Sequence, residues 1–144
     1  MTWTKIALVP EGHSKPVGKY SPGIELQGQA AGSLVFLSGQ VATDARGEML
    51  HPGDAGGQAH VVFDRLAAVL AAAGLGLSDL VSLTIYVRDL SVNFAAVSAV
   101  RNARLGEPGP SSAFLGVAEL VEDGCLVEIG GIAAAGVTLA HEPR

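Results

Sequence analysis

The stretch QAHVVFDRLAAVLAAAGLGLSDLVSLTIYVR, residues 58–88, decides the fold, because its apolar period changes partway through. Val62, Phe63, Leu66, Val69, Leu70 and Ala73 recur at helical spacing, which predicts an amphipathic helix over residues 58–73, ended by Gly74. One face of that helix is apolar and must lie on something. From residue 80 the period becomes two. Val81, Leu83, Ile85 and Val87 point one way, and Ser82, Thr84, Tyr86 and Arg88 the other, so residues 80–88 are expected to form a strand with one buried face.

Downstream, a second helix is expected over residues 92–105. Ser91 is a candidate N-cap, and Phe94, Val97 and Val100 mark the buried side. Gly106 and the Pro108-Gly109-Pro110 loop end it. Two strands follow, at about 112–120 and 125–135. The last is apolar on both faces, with Leu126 and Ile132 on one and Val127 and Ile129 on the other. Upstream, residues 4–9 read as a strand stopped by Pro10, and the Gly- and Pro-rich residues 11–23 as a loop. Residues 25–31 and 34–41 read as a hairpin turning at Gly32-Ser33, and residues 43–57 as another loop. The order β-ββ-α-β-α-ββ predicts an α+β domain, a mixed or antiparallel sheet with two helices on one face. The opposite face carries neither helix nor strong charge, which points to contact between subunits; the alternative is a two-sided core inside one chain.

Composition narrows the function. Of the 144 residues, 49% are hydrophobic and 16% charged, with a net charge of −5. The nine Lys and Arg are scattered, so a nucleic-acid-binding face is not expected. No apolar run reaches the roughly 20 residues a membrane span needs, and Lys5, Glu11 and His13 interrupt any leader-like segment. Cys125 is the only cysteine, which suggests a buried small hydrophobe in a cytoplasmic protein. His13, His51, His60 and His141 lack metal-ligand spacing, so no metal is expected. No phosphate loop or nucleophile elbow is present.

Glu128 stands out, set mid-strand in the apolar run Leu126-Val127-Glu128-Ile129. A carboxylate taken from water is costly unless paired, and burial raises its pKa toward the range useful for proton transfer. The alternative is a Glu on a solvated face. Gly39, in Ser38-Gly39-Gln40 at a strand end, could bring a backbone N–H to a ligand or could simply turn the chain. Tyr20 lies in the first Gly-rich loop.

Together these pieces resemble the RidA/YjgF family of reactive-intermediate deaminases over roughly residues 14–135 of a single domain. Gly18-Lys19-Tyr20-Ser21 is similar to the family's Gly-Pro-Tyr-Ser loop. Leu34-Val35-Phe36-Leu37-Ser38-Gly39-Gln40 is similar to its apolar strand ending in Ser-Gly-Gln. Gly47-Glu48, Gln58, Ala72-Ala73-Gly74, Thr84-Ile85-Tyr86-Val87-Arg88-Asp89 and Phe94-Ala95-Ala96-Val97 follow in the family's order. Leu126-Val127-Glu128-Ile129 with Ile132-Ala133 resembles its Val-Glu-Ile-x-x-Ile-Ala ending. The resemblance implies a chorismate-mutase-like fold of the bacillus type and a homotrimer with clefts between subunits. It also implies cofactor-free hydrolysis of enamines and imines, such as 2-aminoacrylate, to keto acids and ammonia. It makes Glu128 the water-handling acid/base and sets Tyr20, Ser38, Gly39 and Tyr86 around a small-molecule ligand. One position departs from the pattern. Ser112 stands where the family's carboxylate-binding arginine belongs, in Pro110-Ser111-Ser112-Ala113, and Phe114 stands where a small residue is common. A serine hydroxyl cannot replace a bidentate guanidinium. Ser112 and Phe114 therefore imply an altered substrate or, alternatively, a binding or scaffold trimer without turnover.

Overall fold

A computed structural model describes residues 4–15, 19, 21–28 and 32–136. Its order is β1 (Thr4–Leu8), β2 (Gly23–Gln27), β3 (Ser33–Gln40), α1 (Ala55–Ala71), a 3-10 turn (Leu77–Asp79), β4 (Leu80–Arg88), α2 (Leu90–Arg104), β5 (Ser111–Val117) and β6 (Val127–Ala135). The strands form one six-stranded sheet in the order β1-β2-β3-β6-β4-β5. All neighbours are antiparallel except β4 and β5, which are parallel and joined by the α2 crossover. The sheet is thus mixed, and both helices pack on one face, α1 over β3 and β6 and α2 over β4 and β5.

The apolar stripe of α1 does what its period requires. Val62, Phe63, Leu66, Val69 and Leu70 are fully buried, against Val35, Leu83, Ile85, Val127 and Ile129 from the sheet. Each larger side chain gains roughly 1.5–3 kcal/mol on such burial, offset by conformational entropy. The helix begins three residues earlier than the apolar pattern indicates, at Ala55. Asp54 caps it, its carboxylate accepting from Gly57 N–H at 2.9 Å. Gly56 and Gly57, which read as loop, are the first turn of helix.

Three other expectations need correction. Val81 does not join the buried row. A register shift between Leu80 and Ser82 puts Leu80 inward and leaves Val81 44% exposed. Ser91 is not the N-cap of α2: the helix starts at Leu90, after Asp89 in the left-handed region at φ 49°. Phe94 is not a core residue. It is 46% exposed, its ring resting on Phe114 with centroids 4.8 Å apart. The last two strands are also shorter than expected, because residues 118–126 form the loop between them. Part of the expected hairpin turn lies outside the described residues. Beyond it, Gln27 pairs with Ser33, and Gly32 holds φ 140°.

The sheet face away from the helices is open. Leu34, Phe36, Tyr86 and Leu115 are partly exposed on it, and no described helix covers them. Cys125 is fully buried, and desolvation, with Glu128 and Glu122 nearby, pushes its thiol up to about 11. No helix among the described residues is long and apolar enough to cross a membrane.

Candidate functional site

Glu128 projects from β6 onto the open face, opposite Tyr86 of β4. Its inward neighbours Val127 and Ile129 are fully buried, so strand alternation fixes its direction. It is neither in the core nor fully in water. It lines a cleft of about 380 Å³ with Phe36, Gly39, Ser82, Thr84, Tyr86, Gly130 and Ile132, among others. No Lys, Arg or His is among the described lining residues. Desolvation, and secondarily the negative charge of Glu122, push its carboxyl pKa upward. The two-sided apolar pattern of the last strand therefore resolves into a core face and a cleft face.

Any side chain at Gly39 would displace the carboxylate of Glu128. Between Leu37 and Gln40 the pairing of β3 with β6 shifts by one residue, a bulge that bends the strand and re-aims its backbone. A Cβ at Gly39 would collide with Oε1 and Cδ of Glu128. Gly130 has the same character on β6, since a Cβ there would lie 3.3 Å from Gly39 N and 3.2 Å from Leu37 O. These two glycines keep the floor of the cleft at backbone level. Gly130 went unnoticed in the sequence; the signal available was its two-residue spacing from Glu128 on one strand.

Ser38 is adjacent but employed otherwise. Its hydroxyl donates to Ser21 O at 2.6 Å and its N–H to Pro22 O at 3.0 Å, which ties the first Gly-rich loop to the end of β3. Gln40 adds bonds from Nε2 to Pro22 O at 3.3 Å and Ser38 O at 3.1 Å. Tyr20, on that loop, lies outside the described residues. Tyr86 lines the cleft.

Ser112 and Phe114 are not brought to Glu128 within one chain. In the parallel pairing they sit beside Leu83 and Ile85, whose side chains are buried on the helix-bearing face. Register partners share a face, so Ser112 and Phe114 look toward α2, and the contact of Phe114 with Phe94 agrees. Gly39 also borders a second cavity of about 310 Å³. Its wall includes a polar cluster in which Arg65 donates to Thr43 O at 2.6 Å and to Ser14 Oγ at 3.2 Å. His13 there lies 2.9 Å from both Gln40 and Arg65.

Positioning of Glu128 begins one layer below. Gln58 of α1 is fully buried, its Nε2 donating to Gly124 O at 3.0 Å and His51 O at 3.3 Å. Its Oε1 accepts from Leu126 N–H at 2.8 Å. One side chain thus fastens the chain entering β6 just before Glu128.

Comparison with known proteins places this geometry. Residues 12–135 match the family model described as Endoribonuclease L-PSP. A RutC family protein of Pyrococcus horikoshii is 33% identical over 129 residues, covering 90% of this chain and 97% of its own. A 2-iminobutanoate/2-iminopropanoate deaminase of Escherichia coli is 32% identical over 130 residues, covering 88% and 94%. The crystal structure of RidA from the Antarctic bacterium Psychrobacter sp. superposes with a TM-score of 0.75 at 32% identity, over 89% of this chain and 98% of that one.

Proposed function

Because the chain belongs to the RidA/YjgF family, we propose that it is a cytoplasmic hydrolase of small imines and enamines that works as a homotrimer with clefts between subunits. One observation carries the reading: a half-buried carboxylate, raised in pKa, faces a cleft floored by glycine backbone. Such a group takes a proton from water and returns it to a reacting atom. In the ionised state Glu128 accepts a proton as water adds to the carbon of C=N. It passes that proton to nitrogen, giving the tetrahedral carbinolamine, then takes the hydroxyl proton and delivers it to the same nitrogen as the C–N bond breaks, leaving a carbonyl and ammonia. An enamine enters the same path after protonation at carbon gives the imine. Atoms and charge balance with water as the only co-reactant, so the proposal includes no cofactor and no metal.

The homotrimer is supported by the open face. Leu34, Phe36, Tyr86 and Leu115 form an apolar surface of the kind that copies of a chain bury against one another. Ser112 and Phe114 lie on the edge strand β5, so a neighbour's Glu128 meets them only where copies pack along that edge. With Ser112 in place of an arginine and Phe114 filling space beside it, the accepted substrates differ from those of arginine-bearing members.

The test is ammonia release from a carboxylated imine, 2-iminobutanoate, and an uncharged one, propan-1-imine, by wild type and Glu128→Gln. Turnover of at least one, reduced about 10²- to 10⁴-fold in the variant, is the expected result. Equal rates for both proteins would overturn the reading. Ligand binding without turnover by the wild type would favour the binding-module alternative.

A further inference from the structure

Charge is distributed unevenly along this chain. From Leu105 to Ala140 it carries no Lys, Arg or His, and five acids, Glu107, Glu119, Glu122, Asp123 and Glu128. That span includes β5, β6 and the loop between them. The strands β3 and β4 beside them add one charged residue, Arg88, at the end of β4. Resting on the hydrolase reading, we infer that the substrates of the Glu128 cleft lack a carboxylate: they are small alkyl imines and enamines, hydrolysed to aldehydes or ketones.

The field at the reacting carbon follows from this placement. Glu128 is the one charged side chain among the described lining residues. Glu122 is close enough to push its carboxyl pKa further up, and no nearby cation offsets that shift. An imine nitrogen is basic. Its protonated form and the ammonium leaving group are both cations, which neighbouring carboxylates stabilise. A carboxylate on the reacting carbon meets the opposite, like charges in a partly desolvated cleft with no counter-charge, and that is costly. The remaining wall suits an alkyl group. Phe36 and Ile132 are register partners and line the cleft with Tyr86. Gly130, opposite Thr84, leaves the floor between Glu128 and Ile132 free of a side chain.

The described cations have other places. Arg88 follows Tyr86 on the same face but does not line the cleft, and its charge acts on Cys125. Lys15, Arg46 and Arg65 border the second cavity, beyond Gly39, where Arg65 holds Thr43 and Ser14. Lys19 is exposed and lines neither cavity. Lys5 is on β1, at the far edge of the sheet. Arg101 and Arg104 belong to α2, on the helix-bearing side. A neighbour packed along the β5 edge brings Ser111–Val117, an uncharged strand flanked by Glu107 and Glu119.

The test pairs two imines that differ by one carboxylate, propan-1-imine and 2-iminobutanoate. The first is formed in place from propan-1-amine by an amine oxidase, the second from 2-aminobutanoate by an amino-acid oxidase, each with dioxygen as electron acceptor. The readout is kcat/KM for hydrolysis, divided by the uncatalysed rate constant of the same imine. A second readout, equilibrium binding of propan-1-ammonium and of 2-oxobutanoate, is independent of turnover. The enhancement for propan-1-imine is expected to exceed that for 2-iminobutanoate about 10- to 100-fold, and the ammonium to bind more tightly than the keto acid. Glu122→Gln should narrow the gap by raising kcat/KM for 2-iminobutanoate. An equal or larger enhancement for 2-iminobutanoate would overturn the inference while leaving the hydrolase reading in place, and its loss in Lys19→Gln or Arg88→Gln would identify the cation responsible. If wild type hydrolyses neither imine faster than Glu128→Gln, the hydrolase reading fails and binding alone decides. Tighter binding of the ammonium, weakened about 10-fold in Glu128→Gln, then upholds the cleft's preference for ligands without a carboxylate, and tighter binding of the keto acid overturns it.

Discussion

At the scale of single residues, the site is a balance between burial and charge on Glu128. Its folded pKa is raised above the ordinary value of 4.5, so the folded state binds more protons than the unfolded chain between those two values, and stability falls as pH rises through that window. Glu128→Gln should accordingly raise Tm at neutral pH and leave it unchanged at ~pH 3, well below the unfolded value, where both states carry the proton; a thermal-melt series across pH checks this. Gly39 is constrained by the same carboxylate. Gly39→Ala should push Glu128 aside and reduce turnover, measured as ammonia release, about 10²-fold, the cost of a misplacement near 1 Å. Glu128 was legible in the sequence as a carboxyl in an apolar strand, and the structure resolves its ambiguity by giving it a cleft. Gly130 was not legible, because its meaning depends on which strand lies beside it.

Among the elements, α1 was the most legible, since its apolar stripe from Val62 to Ala73 recurs over about three turns and depends on nothing else. Its start was not, because the cap at Asp54 outweighs the two glycines that follow. Phe63→Ala should cost about 3–5 kcal/mol in denaturant unfolding, as its ring is fully buried. Gln58→Leu removes the partner of Leu126 N–H and Gly124 O and should cost about 2–4 kcal/mol. It should also lower kcat, because the chain leading to Glu128 loses its tether. The facing of β5 was out of reach of a single sequence. A short strand with small residues on both sides has no period to read, and only its parallel pairing with β4 shows that Ser112 and Phe114 turn toward α2. The same is true of Phe94 and Val81, which hydrophobicity alone placed inside.

For the molecule as a whole, the open face of the sheet is the decisive feature. A sheet covered by helices on one side and bearing Leu34, Phe36, Tyr86 and Leu115 on the other has half of a core exposed. Leu115→Arg should place a charge on that surface, at the edge strand β5, and convert the proposed trimer into monomers by native mass, with the secondary structure kept. Turnover should be lost with the trimer, since the cleft would then lack its neighbour. That Glu128 handles the proton of water in a partly dry cleft is tested most directly by the pH dependence of kcat/KM for 2-iminobutanoate, in wild type and Glu122→Gln. The wild-type rate should fall with decreasing pH at a midpoint above 4.5, and removing the charge of Glu122 should move that midpoint down. A rate that stays level down through the ordinary carboxylate range would contradict it.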